Sequence, residues 1–299
     1  MKKYTTYILV TLCVLFWSGN FVLGRFIKDD ISPIELAFFR WFFVSILLLP
    51  SLFFIDIRRV IKLIKSNFLM VSLLAILSVS LYNTVLYLAL QSTLATNALL
   101  INSSSPLIII ILSTFILKTN INKIQIIGIL ISTFGVAFLV LKGNLESLSS
   151  MEFHTGDFWI MFCAFVWSLY SVLLKFKPKG YKNAELFVAN MYVGFLFLLP
   201  VYLYQGYSLE SQILHIENYW YFFIYISLFT SILSYLFWTR GIEQIGASKT
   251  GQFVHLMPLF GSILAFIFLG EKLQMYHIIG AIFIGLGIYL SIFLIKKNI

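Results

Sequence analysis

The two halves of this 299-residue chain match each other in order and at a nearly fixed spacing. Phe16-Trp17-Ser18 returns 150 residues later as Val166-Trp167-Ser168, with Val22-Leu23 against Val172-Leu173, Arg25 against Lys175 and Cys13 against Cys163. Glu35-Leu36 and Pro50 answer to Glu185-Leu186 and Pro200 at the same offset. Two residues are then gained, and Ala95, Pro106, Gly128 and Gly135 pair with Ala247, Pro258, Gly280 and Gly287. Unrelated apolar stretches share Leu and Ile by chance, not ordered Trp, Pro and Gly. The chain reads as a tandem duplication: a first repeat at 1–141, a linker at 142–156 and a second repeat at 157–299.

Composition sets the solvent. Sixty per cent of the residues are hydrophobic and 11% are charged, whereas a soluble domain keeps about a quarter of its residues charged. Apolar runs lie near 5–27, 34–55, 67–90, 95–117 and 123–141, then near 157–176, 184–204, 219–239, 247–269 and 275–295. Each is long enough to cross about 30 Å of hydrocarbon as a helix. The polar breaks at 142–156 and 205–218 are expected to be loops. Lys2 and Lys3 precede the first run without an A-x-A-like cleavage site, so an uncleaved first span is expected.

Basic residues sort by side. With the N-terminus inside, 16 of the 21 Lys and Arg fall on the inner side, and four fall outside: Arg25, Lys28, Lys142 and Lys272. Arg40 lies within a span. The positive-inside rule then puts both termini in the cytoplasm, which needs an even number of spans. Ten satisfies it. Five spans per repeat leave the second repeat upside down relative to the first. The expected fold is therefore all-α and integral to the membrane: ten transmembrane helices as two inverted five-helix repeats. Inverted repeats are a transporter signature, because two equivalent packings opened to opposite sides give alternating access.

Other classes fit less well. The net charge of +9 is scattered between apolar runs, without the basic patch a nucleic-acid partner needs. Cys13 and Cys163 have no metal spacing, and no metal or cofactor is expected. The alternative is a membrane-embedded enzyme acting on lipid-linked substrates, but no HExxH motif, phosphate-cradling Gly loop or aligned acid pair appears. A channel would need a filter-like loop or a charged ring, and neither is visible.

The pattern resembles the drug/metabolite transporter superfamily, and within it the EamA-like ten-span exporters. The resemblance rests on the Trp-Ser pairs of spans one and six and on Glu35…Arg40 in span two. It rests also on Ala89-Leu90…Ala95 leading to Pro106, on its echo Gly241…Gly246-Ala247…Pro258, and on Leu269-Gly270-Glu271-Lys272-Leu273…Gly280. It covers essentially the whole chain. Span four departs from span nine, with Lys118-Thr119 in place of Gly270-Glu271. The resemblance implies export of small metabolites, amino acids or related compounds, from a bacterial inner membrane.

Candidate residues follow from depth. Pro106 and Pro258 fall near the middle of spans four and nine, where each frees the carbonyl four residues back, that of Asn102 or Val254, and kinks the helix. Freed groups at that depth either line a cavity or are repaired by neighbouring helices. Asn20, Asn83, Asn102, Ser103, Gln252 and His255 are polar positions in hydrocarbon that bridge helices or face the substrate. Trp17, Tyr82, Trp167, Tyr170 and Tyr235 are candidate aromatic walls for it. Trp238, close to the inner end of its run, reads as an interface-belt residue. Arg40 snorkels to the outer interface by depth, whereas the resemblance implies a gate or structural pair with a carboxylate such as Glu35. None of the twelve acidic residues falls at mid-membrane, which argues for facilitated diffusion or exchange rather than proton coupling unless His255 titrates. The paired glycines of spans five and ten provide close helix contact, within a monomer or between the copies of a homodimer.

Overall fold

The computed structural model describes residues 2–27, 29–150, 152–269 and 272–294. Lys28, Gly270, Glu271, Lys296 and Lys297, used above, lie outside the described residues. Ten spans are present among the described residues. Eight belong to helices long and apolar enough to cross a bilayer. The other two are interrupted: span two is an α-helix over Pro33–Leu48 continued by a 3-10 turn at Leu49–Phe53, and span nine is broken into three pieces.

Helix starts follow from local chemistry. Ser32 caps span two by accepting the Glu35 amide, and Pro33 occupies the first helical position, where no N–H is needed. Asn122 caps span five (Lys123–Val140) and Ser208 caps the helix Leu209–Ser227 that leads into span eight. The aspartate of Asp56 caps a short amphipathic helix, Ile57–Ser66, between spans two and three, which periodicity in the sequence had not suggested. The segment 205–218, expected to be a loop, is helical from Leu209. It runs into span eight through a kink at Tyr219 (φ −123°, ψ 16°), because Ser208 supplies a cap and few residues after it break a helix.

Spans three and eight share an irregularity. Span three is Phe68–Ala75, a π-helical turn at Ile76–Leu81 and Tyr82–Ser92; in span eight the π turn is Leu228–Leu233, followed by Ser234–Ile245. The two π turns stand 152 residues apart at both ends, matching the second offset of the sequence repeat. Spans four and nine share another. Span four ends a first piece at Asn102 and restarts as Ser105–Leu117; span nine passes from Ala247–Gly251 through a 3-10 turn, Gln252–His255, into Leu256–Leu269. Pro106 and Pro258 sit in the first turn of the second piece, where backbone N–H groups have no intrahelical acceptor. At both prolines the α-helical pattern is interrupted by a tighter turn while the backbone of Ser103, Ser104, Gln252 and Leu256 stays in the right-handed region.

Packing repeats the same symmetry. Span one (Lys2–Phe26) lies on spans eight and nine, and span six (Thr155–Leu173) lies on spans three and four. Span two packs on span eight, and its counterpart span seven (Asn183–Tyr204) on span three. Spans five and ten (Met275–Phe293) lie against each other. A Cβ on Gly128 would stand 2.6 Å from the Gly287 carbonyl oxygen, and one on Gly135 2.9 Å from that of Gly280. Both glycine faces are used within one chain, so they are not a free surface for a homodimer contact.

Candidate functional site

The site is assembled where the two repeats meet. Trp17 and Trp167, related by the first offset, meet edge to face with centroids 5.0 Å apart and planes at 90°. Tyr82 and Tyr170 lie against Trp167 at 4.9 and 5.1 Å, and Tyr235 at 5.6 Å. Trp238 joins the cluster 5.0 Å from Trp17 and is completely buried. Its expected role at the interface is corrected: the helix of span eight continues to Ile245, six residues past the apolar run, which carries Trp238 inward.

Broken and widened helices supply acceptors. A π turn leaves carbonyls without their usual partner, and the structure fills them from the same span and from across the repeat boundary. The Ser78 carbonyl accepts from Asn83 Nδ2 at 2.8 Å and from the Tyr235 hydroxyl at 2.5 Å. The Thr230 carbonyl, at the equivalent place 152 residues on, accepts from Trp17 Nε1 and Arg40 Nη2, both at 3.1 Å. The serines of the Trp-Ser pairs serve the breaks. Ser168 Oγ shares its hydrogen between the Ala164 carbonyl of its own helix at 2.6 Å and the carbonyl of Ser105, directly before Pro106, at 3.3 Å; Ser18 Oγ does the same between Val14 at 2.8 Å and Met257, directly before Pro258, at 3.1 Å. These carbonyls are the ones reached from a neighbouring helix, while that of Val254 accepts from the Leu256 amide.

Arg40 neither snorkels nor pairs with Glu35. It is 2% exposed and donates from Nε to Ser231 Oγ at 2.7 Å, from Nη1 to the Tyr87 hydroxyl at 3.1 Å and from Nη2 to the Thr230 carbonyl. Tyr87 passes its own hydrogen to Asn20 Oδ1 at 3.2 Å. Five residues along a helix place Glu35 away from the Arg40 face. Glu35, also buried, instead accepts from His215 Nδ1 at 2.8 Å. Its repeat counterpart Glu185 accepts from Arg59 Nε at 2.8 Å on the opposite face of the bundle.

A central cavity of about 20 Å³ is lined by Trp17, Asn20, Phe21, Arg40, Tyr82, Asn83, Leu86, Trp167, Tyr235 and Met257. That is room for about one water molecule, against about 300–1,000 Å³ for a typical ligand pocket. The centre is contracted. A wider cleft of about 450 Å³ opens on the face that holds Lys175, Lys177 and Lys179, away from this cluster.

Six of the residues picked out as substrate-facing line the cavity: Trp17, Asn20, Tyr82, Asn83, Trp167 and Tyr235. Tyr170 stands behind Trp167. Asn102 reaches the Met257 sulfur at 3.6 Å, and Ser103 Oγ turns back to the Leu100 carbonyl. Gln252 accepts from Ser291 on span ten at 3.2 Å. His255 is fully buried between Ser132 Oγ, 2.6 Å from Nδ1, and the Ser103 carbonyl, 2.9 Å from Nε2. It bridges spans four, five and nine outside the cavity lining. Arg40, Phe21, Leu86 and Met257 were missed as lining residues. For Arg40 the signal was a lone charge inside an apolar run.

Ten spans in inverted halves around a polar and aromatic centre define a multi-pass membrane transporter. The chain belongs to the EamA-like transporter family, whose model matches residues 4–141 and again 154–293. It is 30% identical to an uncharacterized transporter of Archaeoglobus fulgidus over 96% of both chains. It is 28% identical to the uncharacterized transporter YyaM of Bacillus subtilis over 96% of this chain and 93% of that one. A solved crystal structure with 17% identity superposes with a TM-score of 0.73 over 97% of each chain, a likeness of fold alone.

Proposed function

We propose that the protein is a secondary transporter that exports or exchanges small metabolites, amino acids or related compounds, by alternating access around the central cavity. The observation that carries this is the placement of the cavity on the repeat boundary. The repeat-equivalent pairs Trp17 with Trp167 and Asn83 with Tyr235 both line it. A site shared in this way can be approached from either side by equivalent movements of the two repeats. Sixteen of 21 basic residues on one side support a bacterial inner-membrane orientation with both termini cytoplasmic. The lack of an acidic residue at mid-membrane in the sequence supports exchange or facilitated diffusion.

The test is uptake of a labelled metabolite panel into proteoliposomes, with and without a proton gradient. Saturable flux of one class, reduced about tenfold or more in Trp17→Ala and Trp167→Ala, supports the carrier. Equal flux through empty liposomes and those holding the protein removes it.

A further inference from the structure

The segment that joins spans two and three has a counterpart in the second repeat, and the two differ in charge. Both are helical: Ile57–Ser66 in the first repeat and the start of Leu209–Ser227 in the second. At the offset of 150, Arg58, Arg59, Lys62 and Lys65 correspond to Ser208, Leu209, Gln212 and His215. The fold therefore forms this helix without Lys or Arg, and the four cations have another reason to be there.

The helix has three faces. Val60 and Leu63 are buried against the bundle, Ile57 and Ile61 are 45% and 47% exposed, and Arg58, Lys62 and Lys65 are exposed beside them. Phe53 and Phe54 before the helix and Leu69 after it are among the most exposed apolar side chains of the molecule. Apolar and cationic faces side by side, between two spans, fit a helix that lies in the membrane surface.

Arg59 joins this helix to the cleft of about 450 Å³. Its Nη2 donates to the Gly180 carbonyl at 2.6 Å and its guanidinium lies 5.5 Å from the Tyr181 ring, and both of these residues line the cleft. Lys175, Lys177 and Lys179 line it against one carboxylate, that of Glu243, which Lys177 and Asn183 already engage. Lys175 and Lys179 are exposed, and neither has a partner among the described residues. Two unneutralised ammonium groups next to a cationic helix face concentrate positive potential at one place.

We propose that this face binds anionic phospholipid, with one phosphate headgroup in the cleft on Lys175 and Lys179 and others along Arg58, Lys62 and Lys65. Lipid fits better than a soluble phosphate because Ile57, Ile61, Phe53 and Phe54 present apolar surface that acyl chains would cover. The proposal is independent of the solute carried.

The experiment reconstitutes the purified full chain in liposomes of phosphatidylcholine and phosphatidylglycerol in equal amounts. The protein is re-extracted in mild detergent, and the two retained lipids are measured by mass spectrometry. Phosphatidylglycerol should be enriched on the wild type. Lys175→Gln with Lys179→Gln should lower that enrichment about tenfold or more, the worth of two cations at an anionic surface. Lys62→Gln with Lys65→Gln should lower it as well, and Lys175→Arg with Lys179→Arg should retain it. Lys118→Gln with Lys123→Gln removes the same charge outside the cleft and the helix and should leave it unchanged. Retained phosphatidylcholine is the internal reference, so a loosened fold lowers both lipids rather than their ratio. Equal retention of the two lipids by the wild type overturns the proposal, as does an equal fall in the Lys118 and Lys123 control. So does displacement of phosphatidylglycerol by inorganic phosphate where chloride of matched ionic strength has no effect, which would make the cleft a soluble-phosphate site.

Discussion

Asn83 and Tyr235 hold the same place in the two repeats, and the amide of one donates to the hydroxyl of the other at 3.2 Å. Residues 152 positions apart in the chain can touch their own counterparts only at the axis that relates the repeats. The same holds for Trp17 and Trp167. Two different side chains at one symmetric position make the centre polar on one side and aromatic on the other. Chemistry is therefore asymmetric where the fold is symmetric.

Ser18→Ala and Ser168→Ala remove equivalent shared bonds, the longer arm of each reaching the carbonyl before Pro258 or Pro106. Each should cost about 0.6 kcal/mol, the average for an interhelical hydrogen bond in a membrane protein. Thermal unfolding in detergent should show similar small losses for the two, and a nearly additive loss for the double variant.

Gly128→Val places methyl groups where the Gly287 carbonyl already stands 2.6 Å from an added Cβ. Spans five and ten must separate, at a cost of about 1–3 kcal/mol for an overpacked contact. Expected are a lower melting temperature and a reduced monodisperse yield. Gly285→Val, where an added Cβ meets nothing within 4 Å, should leave both unchanged.

His255→Ala tests a residue whose place in the sequence suggested substrate contact. It strips partners from buried Ser132 and from the Ser103 carbonyl, a loss of about 1–3 kcal/mol for buried polar groups. The melting temperature should fall while the KM of the remaining flux stays at the wild-type value. A KM raised together with unaltered stability would place the imidazole at the substrate instead.

The pairs at Glu35 and Glu185 are repeat-equivalent carboxylates with different cations. Beside Glu185, the Arg59 guanidinium is held above its ordinary pKa by the hydrogen bond and the charge of that carboxylate, so this pair stays ionic. The His215–Glu35 pair joins span two to the helix that leads into span eight. Removing the donor leaves a buried carboxylate short of a partner, a loss that destabilises the fold. His215→Leu and Arg59→Leu should each lower the melting temperature in detergent, and a temperature unchanged in both would show that neither pair holds the bundle.

Much of this protein was written along the chain. The duplicated Trp-Ser, Pro and Gly positions, the ten apolar runs and the sidedness of Lys and Arg determined the membrane, the number of spans and the inversion, because hydrocarbon thickness and helix rise leave few alternatives. The aromatic residues and asparagines at the centre were legible by depth. Only tertiary structure decided which way each pointed: Arg40 toward the cavity, His255 into a helix junction, Trp238 inward. It also interrupted the α-helical pattern of spans four and nine just ahead of their prolines and widened spans three and eight at Ser78 and Thr230. Those outcomes depend on which helix supplies a donor to which freed carbonyl. Apart from the Asn83 contact to Ser78, such pairings join residues more than sixty positions apart, and no local pattern of apolar and polar residues records them.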